Sequence, residues 1–166
     1  GSPHVSLRTI EREIDSETAA VVVTHYHSTN RQIQAIADLC RKRGVKLIED
    51  CAISLGSRVE DAHVGTFGDF ALFSFGLFKF VSTYFGGAMA VRSQADRDNI
   101  VAEMTEWPRM GARDLAPYVG KGIKISLLTQ KSVFRYFTFP LFRFGYLNDL
   151  EFIKKNAQND PDPMLR

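Results

Sequence analysis

Two side chains in this sequence stand where chemistry could be done. Asp50 directly follows Lys46-Leu47-Ile48-Glu49, a run that reads as a strand, and in parallel sheets the ligand crevice lies outside the carboxyl ends of the strands. An isolated acid at a strand end is more often a helix cap or a surface charge. Lys79 lies within Phe73-Ser74-Phe75-Gly76-Leu77-Phe78-Lys79-Phe80. Apolar neighbours strip water from an amine and favour the nucleophilic form that imine chemistry requires, so these aromatics are expected to desolvate Lys79. Read alone, a lysine is a solvated side chain and the aromatics are core. Cys40 and Cys51 have neither metal-ligand spacing nor a disulfide framework, and no secretory leader precedes them. A reducing cytoplasm and no metal are therefore expected.

The elements that must position these residues follow from periodicity. Ala19-Ala20-Val21-Val22-Val23-Thr24 is a continuous apolar, β-branched run of the kind that forms a buried strand. A helix follows, with Thr29 or Asn30 as its cap, Ile33, Ile36, Ala37 and Cys40 on one face, and Gly44 at the left-handed stop. Val45 to Ile48 is then a second strand, so the order strand, helix, strand implies a parallel pair. Further strands are expected at 70–75 and 87–91, separated by Gly-punctuated loops. Ser93 with Asp96 reads as a capping box for a helix to about Glu106, carrying Ile100, Val101, Met104 and Trp107 on one face. This is the grammar of an α/β protein with a three-layer, mostly parallel sheet and helices on both faces. A length of 166 residues with 45% hydrophobic content suits one compact domain, and a net charge of +2 is too small to imply a nucleic-acid surface.

The run Gly44-Val45-Lys46-Leu47-Ile48-Glu49-Asp50-Cys51-Ala52, then Gly65-Thr66-Phe67-Gly68-Asp69, Phe73-Ser74-Phe75, Lys79 and Gly86-Gly87-Ala88 resembles the DegT/DnrJ/EryC1/StrS sugar aminotransferases in both order and spacing. The resemblance covers about residues 19–92. It implies part of the large domain of the aspartate-aminotransferase fold and the cofactor pyridoxal 5′-phosphate (PLP). Carried over residue by residue, Asp50 pairs with the pyridine nitrogen, Ser74 hydrogen-bonds the phosphate and Lys79 holds the cofactor covalently. Gly86 and Gly87 allow close backbone packing beside the site. The implied reaction transfers an amino group, from glutamate or a similar donor, to an activated keto-sugar such as a nucleotide-linked one. A homodimer is implied as well.

Departures from the family pattern bear on the substrate more than on the cofactor. Ile53 stands where Gln or His is usual, so it can pack against the ring but cannot bond its hydroxyl. Phe85 replaces an acid, Phe80 replaces a frequent Asn, and Gly120-Lys121-Gly122-Ile123-Lys124 does not match the segment that reaches a neighbouring subunit's phosphate. Family chains are more than twice this length, so residues 1–114 are expected to form only the central part of the cofactor-binding domain. The competing reading is a non-catalytic α/β binding or assembly module that keeps the scaffold.

From Leu115 to Asn148 there is no acidic residue, while Lys121, Lys124, Lys131, Arg135 and Arg143 alternate with aromatics. Residues 115–158 are expected to form a basic, aromatic, amphipathic segment interrupted at Pro140. On one helix Lys124, Lys131, Arg135 and Thr138 would share a face, with Ile123, Leu127, Phe134, Phe137 and Leu141 on another. The plain reading is cover for a core or a subunit interface. The sharper reading is peripheral membrane contact through 121–146. Residues 159–166 read as a linker toward a further domain.

Overall fold

The β-branched run of the first strand leaves its backbone one conformation it can hold cheaply, an extended one that pairs on an edge. The computed structural model describes residues 5–26 and 30–148, and the chain divides into two compact units between Leu115 and Ala116. In the first unit, helix α1 (Leu7–Glu13) is capped by Ser6, whose side chain accepts the Thr9 N–H, and leads to strand β1 (Ala20–Thr24). Helix α2 (Ile33–Arg43) crosses to β2 (Lys46–Asp50), which pairs with β1 in parallel from Ala20↔Lys46 to Thr24↔Asp50. A short antiparallel pair, β3 (Arg58–Val59) and β4 (Ala62–His63), precedes β5 (Phe70–Ser74), parallel to β2. Strand β6 (Gly87–Val91) returns antiparallel to β5. The sheet order β1-β2-β5-β6 is therefore mostly parallel, and the protein is α/β as expected.

Alternation fixes which side chains face α2. Val23, Leu47, Glu49 and Ala71 point to one face of the sheet and are buried there with Ile33, Ile36, Ala37 and Cys40 of the helix. Gly44 ends α2 at φ 69°, the left-handed stop expected at that position. The start of α2 differs from expectation. Gln32 is the cap residue and its side chain makes no capping bond, while Asn30 Oδ1 accepts the Gln32 N–H just ahead of the helix. Thr29 lies outside the described residues.

On the opposite face, among the described residues, Val22, Leu72 and Met89 are exposed. Lys46 on that face reaches α3 (Gln94–Thr105) through Asp96, Nζ to Oδ2 2.9 Å. Ser93 caps α3 by accepting the Asp96 N–H, as expected. The apolar residues of α3 remain outside the core, and Val101, Met104 and Trp107 are exposed.

The second unit is helical in its described part. Helix α4 (Ala112–Thr129) runs into it, an extended Gln130 breaks the chain, and α5 (Lys131–Val133), a π-helical turn (Phe134–Thr138) and α6 (Phe139–Leu147) follow. The expected interruption at Pro140 does not occur. The π turn lets the Phe139 N–H bond Phe134 O, and Pro140 enters within the first turn of α6, where its missing N–H costs little. Thr138 also departs from its expected cationic face. It is buried, and its Oγ1 donates to Leu128 O at 2.7 Å. The expected linker at 159–166 lies outside the described residues.

Candidate active site

Three strands end at one rim of the sheet, two of them carrying the expected residues Asp50 and Ser74. Thr24, Asp50 and Ser74 end β1, β2 and β5 respectively, at the carboxyl ends of the parallel strands. All three lie on the face opposite α2, because they follow Val23 and Glu49, which are buried on the α2 side, and Phe73, which is partly buried against the same core. Asp50 Oδ1 accepts the Ala52 N–H at 3.0 Å and Oδ2 accepts the Thr24 hydroxyl at 3.3 Å, so the carboxylate is held from both sides and stays half-buried. The chain beyond it is pinned by Cys51 N–H to Leu72 O at 2.8 Å.

The loop from β5 to β6 brings Lys79 back toward Ser74. Lys79 N–H bonds Gly76 O at 3.1 Å, closing a turn. A Cβ placed on Gly76 would lie 3.6 Å from Ser74 Oγ and 4.0 Å from Lys79 Cγ, so hydroxyl and lysine stem flank the same point. Ser74 Oγ also accepts the Gly76 N–H at 3.4 Å. Lys79 then joins Ile53, from the loop after β2, in lining an open cavity of about 400 Å³ with Phe78 and Phe80. That volume falls in the range of small-molecule sites. One expectation fails here. Phe78 and Phe80 are 77% and 81% exposed, so the aromatics flanking Lys79 do not shield it from water.

Beneath this rim lies a clamp that the sequence reading missed. Glu49, the residue before Asp50, is fully buried and points to the other face. Its Oε1 accepts N–H groups of Phe67 and Gly68 at 2.8 and 2.7 Å, and its Oε2 accepts Gly65 N–H at 2.8 Å and faces His25 Nε2 at 3.1 Å. His25 Nδ1 accepts the Asn30 N–H, which leaves Nε2 as the donor to Glu49. Burial pushes the Glu49 carboxyl up, but the bonds from His25, Gly65, Gly68 and Phe67 outweigh it and hold it below its ordinary value. Cys51 lies beside it, with its thiol pushed up to about 12 by burial and by the charges of Glu49 and Asp50. Donor atoms of His25, Glu49 and Cys51 fall within 4.8 Å of one another. Both Glu49 oxygens and both His25 nitrogens are already engaged, so the trio ties the loop at 65–68 to β2 and is not shaped to receive a cation. The glycines allow this. A Cβ on Gly68 would come within 2.7 Å of Leu47 O, and one on Gly65 within 2.5 Å of the Phe73 ring. Gly87 likewise abuts the Phe73 backbone, and Gly86 takes φ 95°.

Together these groups present a carboxylate, a hydroxyl, a primary amine and an apolar wall at one rim. These residue types fit the roles that the family resemblance implies for PLP: a carboxylate for the ring nitrogen, a hydroxyl for the phosphate and an amine for the aldehyde.

Comparison with known proteins agrees. The DegT/DnrJ/EryC1/StrS aminotransferase family pattern matches residues 2–115. The chain is similar to a GDP-perosamine synthase of Vibrio cholerae, 39% identical over 92 residues that cover 55% of this chain and 25% of that protein. It is similar to a dTDP-4-dehydro-2,3,6-trideoxy-D-glucose 4-aminotransferase of Saccharopolyspora spinosa, 42% identical over 82 residues, 49% of this chain and 21% of the other. Among solved structures, the aminotransferase TlmJ from Streptoalloteichus hindustanus superposes with a TM-score of 0.54 at 35% identity, covering 64% of this chain and 29% of that one. The matched region thus spans about a quarter of the length of these curated relatives.

Proposed function

This chain belongs to the DegT/DnrJ/EryC1/StrS aminotransferase family, and from that premise we propose that the protein containing it is a PLP-dependent aminotransferase. Its acceptor is an activated keto-sugar, such as a nucleotide-linked one, and its donor is glutamate. The observation that carries this reading is that Ser74 Oγ and the Lys79 stem flank one point beside Gly76 while Lys79 and Ile53 line one cavity, with Asp50 ending β2 at the same end of the sheet as Ser74.

Bound PLP supplies an electron sink for chemistry at the carbon that bears the amino group. The residues of this chain supply the rest. Asp50, fixed by Thr24 and Ala52, would hold a proton on the ring nitrogen and so keep the ring electron-poor. Ser74 Oγ would donate to the phosphate. Lys79 would hold the cofactor covalently, and its amine would serve as general base and acid at the substrate carbon. Ile53 would offer the ring an apolar contact and its hydroxyl no hydrogen bond. The full-length protein is proposed to act as a homodimer, as the family resemblance implies. Two free, buried cysteines support a cytoplasmic location.

The test is to add PLP to the full-length protein and follow its visible absorbance, then supply glutamate with a nucleotide-linked keto-sugar. A new absorption band and formation of 2-oxoglutarate together with an amino-sugar are expected. Absence of the band would favour the non-catalytic scaffold to which Ile53 and Phe85 also point.

A further inference from the structure

We propose that the helical unit beginning at Ala116 is a docking surface for the anionic leaflet of a membrane. The proposal rests on this unit's own surface and is independent of the cofactor reading.

Small side chains occupy the inside of the unit. Gly122, Thr138 and Gly145 are the buried residues among those described from Ala116 to Asn148. The large apolar residues consequently face out. Val119, Ile123 and Leu127 repeat at i, i+4 and i+8 along α4, and Phe137, Leu141 and Phe144 at i, i+4 and i+7 across the π turn and α6. Phe137 is 72% exposed, Phe144 61% and Tyr146 83%. Monomeric soluble proteins rarely leave large apolar patches in water, and rows of exposed apolar side chains such as these mark candidate interaction sites.

Charge identifies the occupant. Lys121, Lys124, Lys131, Arg135 and Arg143 are all exposed, and no acid lies between Leu115 and Asn148. A second copy of the same surface, paired about a two-fold axis, would bring cations against cations. An anionic lipid surface complements both features at once: aromatic and aliphatic side chains enter the acyl boundary, while the long basic chains reach back to the headgroups. No described helix is long and apolar enough to cross a membrane, so the unit lies in the plane of the interface.

The experiment is co-sedimentation of the full-length protein with vesicles of phosphatidylserine and phosphatidylcholine in equal parts. The protein should pellet at low ionic strength and be released by high salt, and vesicles of phosphatidylcholine alone should bind it far less. Each basic residue near such a surface contributes roughly fivefold to binding. The triple change Lys124→Glu, Lys131→Glu, Arg135→Glu should therefore weaken it by more than about 100-fold. The triple Lys124→Arg, Lys131→Arg, Arg135→Lys should retain it. Phe137→Ser with Phe144→Ser should weaken binding at unchanged charge. Far-ultraviolet circular dichroism confirms that each variant is folded. Equal binding to both vesicle types, no binding at any salt, or binding untouched by charge reversal in a folded variant would overturn the proposal. So would a dimer that ignores vesicles and falls apart with the same three changes, which would make the surface an assembly face.

Discussion

At the residue scale, Asp50 and Glu49 are neighbours with opposite tasks. Asp50 lies at the rim half-buried, and each of its oxygens accepts one described bond, from Ala52 N–H and the Thr24 hydroxyl. Replacing it with Asn leaves both bonds possible but removes the charge. Folding should be spared, and PLP affinity measured by equilibrium dialysis should fall about 10- to 100-fold, the worth of one charge-assisted bond. Glu49 faces inward, and its charge is spent on three backbone N–H groups and His25. Glu49→Gln presents an amide N–H₂ to donors that need an acceptor, so unfolding in urea should show a loss of roughly 3 kcal/mol. Its pH dependence has a definite sign. The folded carboxyl sits below the ordinary 4.5, so its stabilisation is fully present above that value and is lost as pH falls through the lower folded value. The Glu49→Gln variant should therefore show a shallower loss of stability below about pH 4.5 than the parent protein.

At the element scale, glycines decide how closely loop and strand approach. Gly68 has no room for a methyl group because a backbone carbonyl, Leu47 O, stands 2.7 Å from where the Cβ would be. Gly44 has open space around it and only its φ of 69° to defend. Gly68→Ala should thus cost more stability than Gly44→Ala, about 2–3 kcal/mol against about 1 kcal/mol by denaturant unfolding. Equal costs would mean that β2 yields to the loop. Much of this level was legible in the sequence. The runs at 19–24, 45–48, 70–75 and 87–91 marked the four sheet strands, and Gly44 marked the end of α2, because period and left-handed stops are local signals. The cap of α2 and the course of the chain past Pro140 were not legible. They depend on whether a side chain or a widened turn satisfies the backbone, a choice made by packing. Glu49 was overlooked for a similar reason: its partners lie between 16 and 24 residues away, and sequence spacing carries no sign of them.

At the scale of the whole molecule, two units of different chemistry share one chain. Residues 2–115 match an aminotransferase family, and the placement of Asp50 and Ser74 at strand ends and of Ile53 and Lys79 in the following loops was legible from the strand pattern. Their surroundings were less so. The exposure of Phe78 and Phe80 depends on loop geometry, and hydrophobic composition gave the opposite expectation. The basic aromatic stretch was visible as composition, but only the folded chain shows its small residues turned in and its aromatics out. The central claim is that the first unit carries a PLP site built on Lys79. Borohydride reduction of the PLP-loaded full-length protein followed by peptide mapping tests it most directly. The label should fall on the peptide containing Lys79 and vanish in Lys79→Ala, whereas label on Lys46 or Lys121 with Lys79 unmodified would contradict the account.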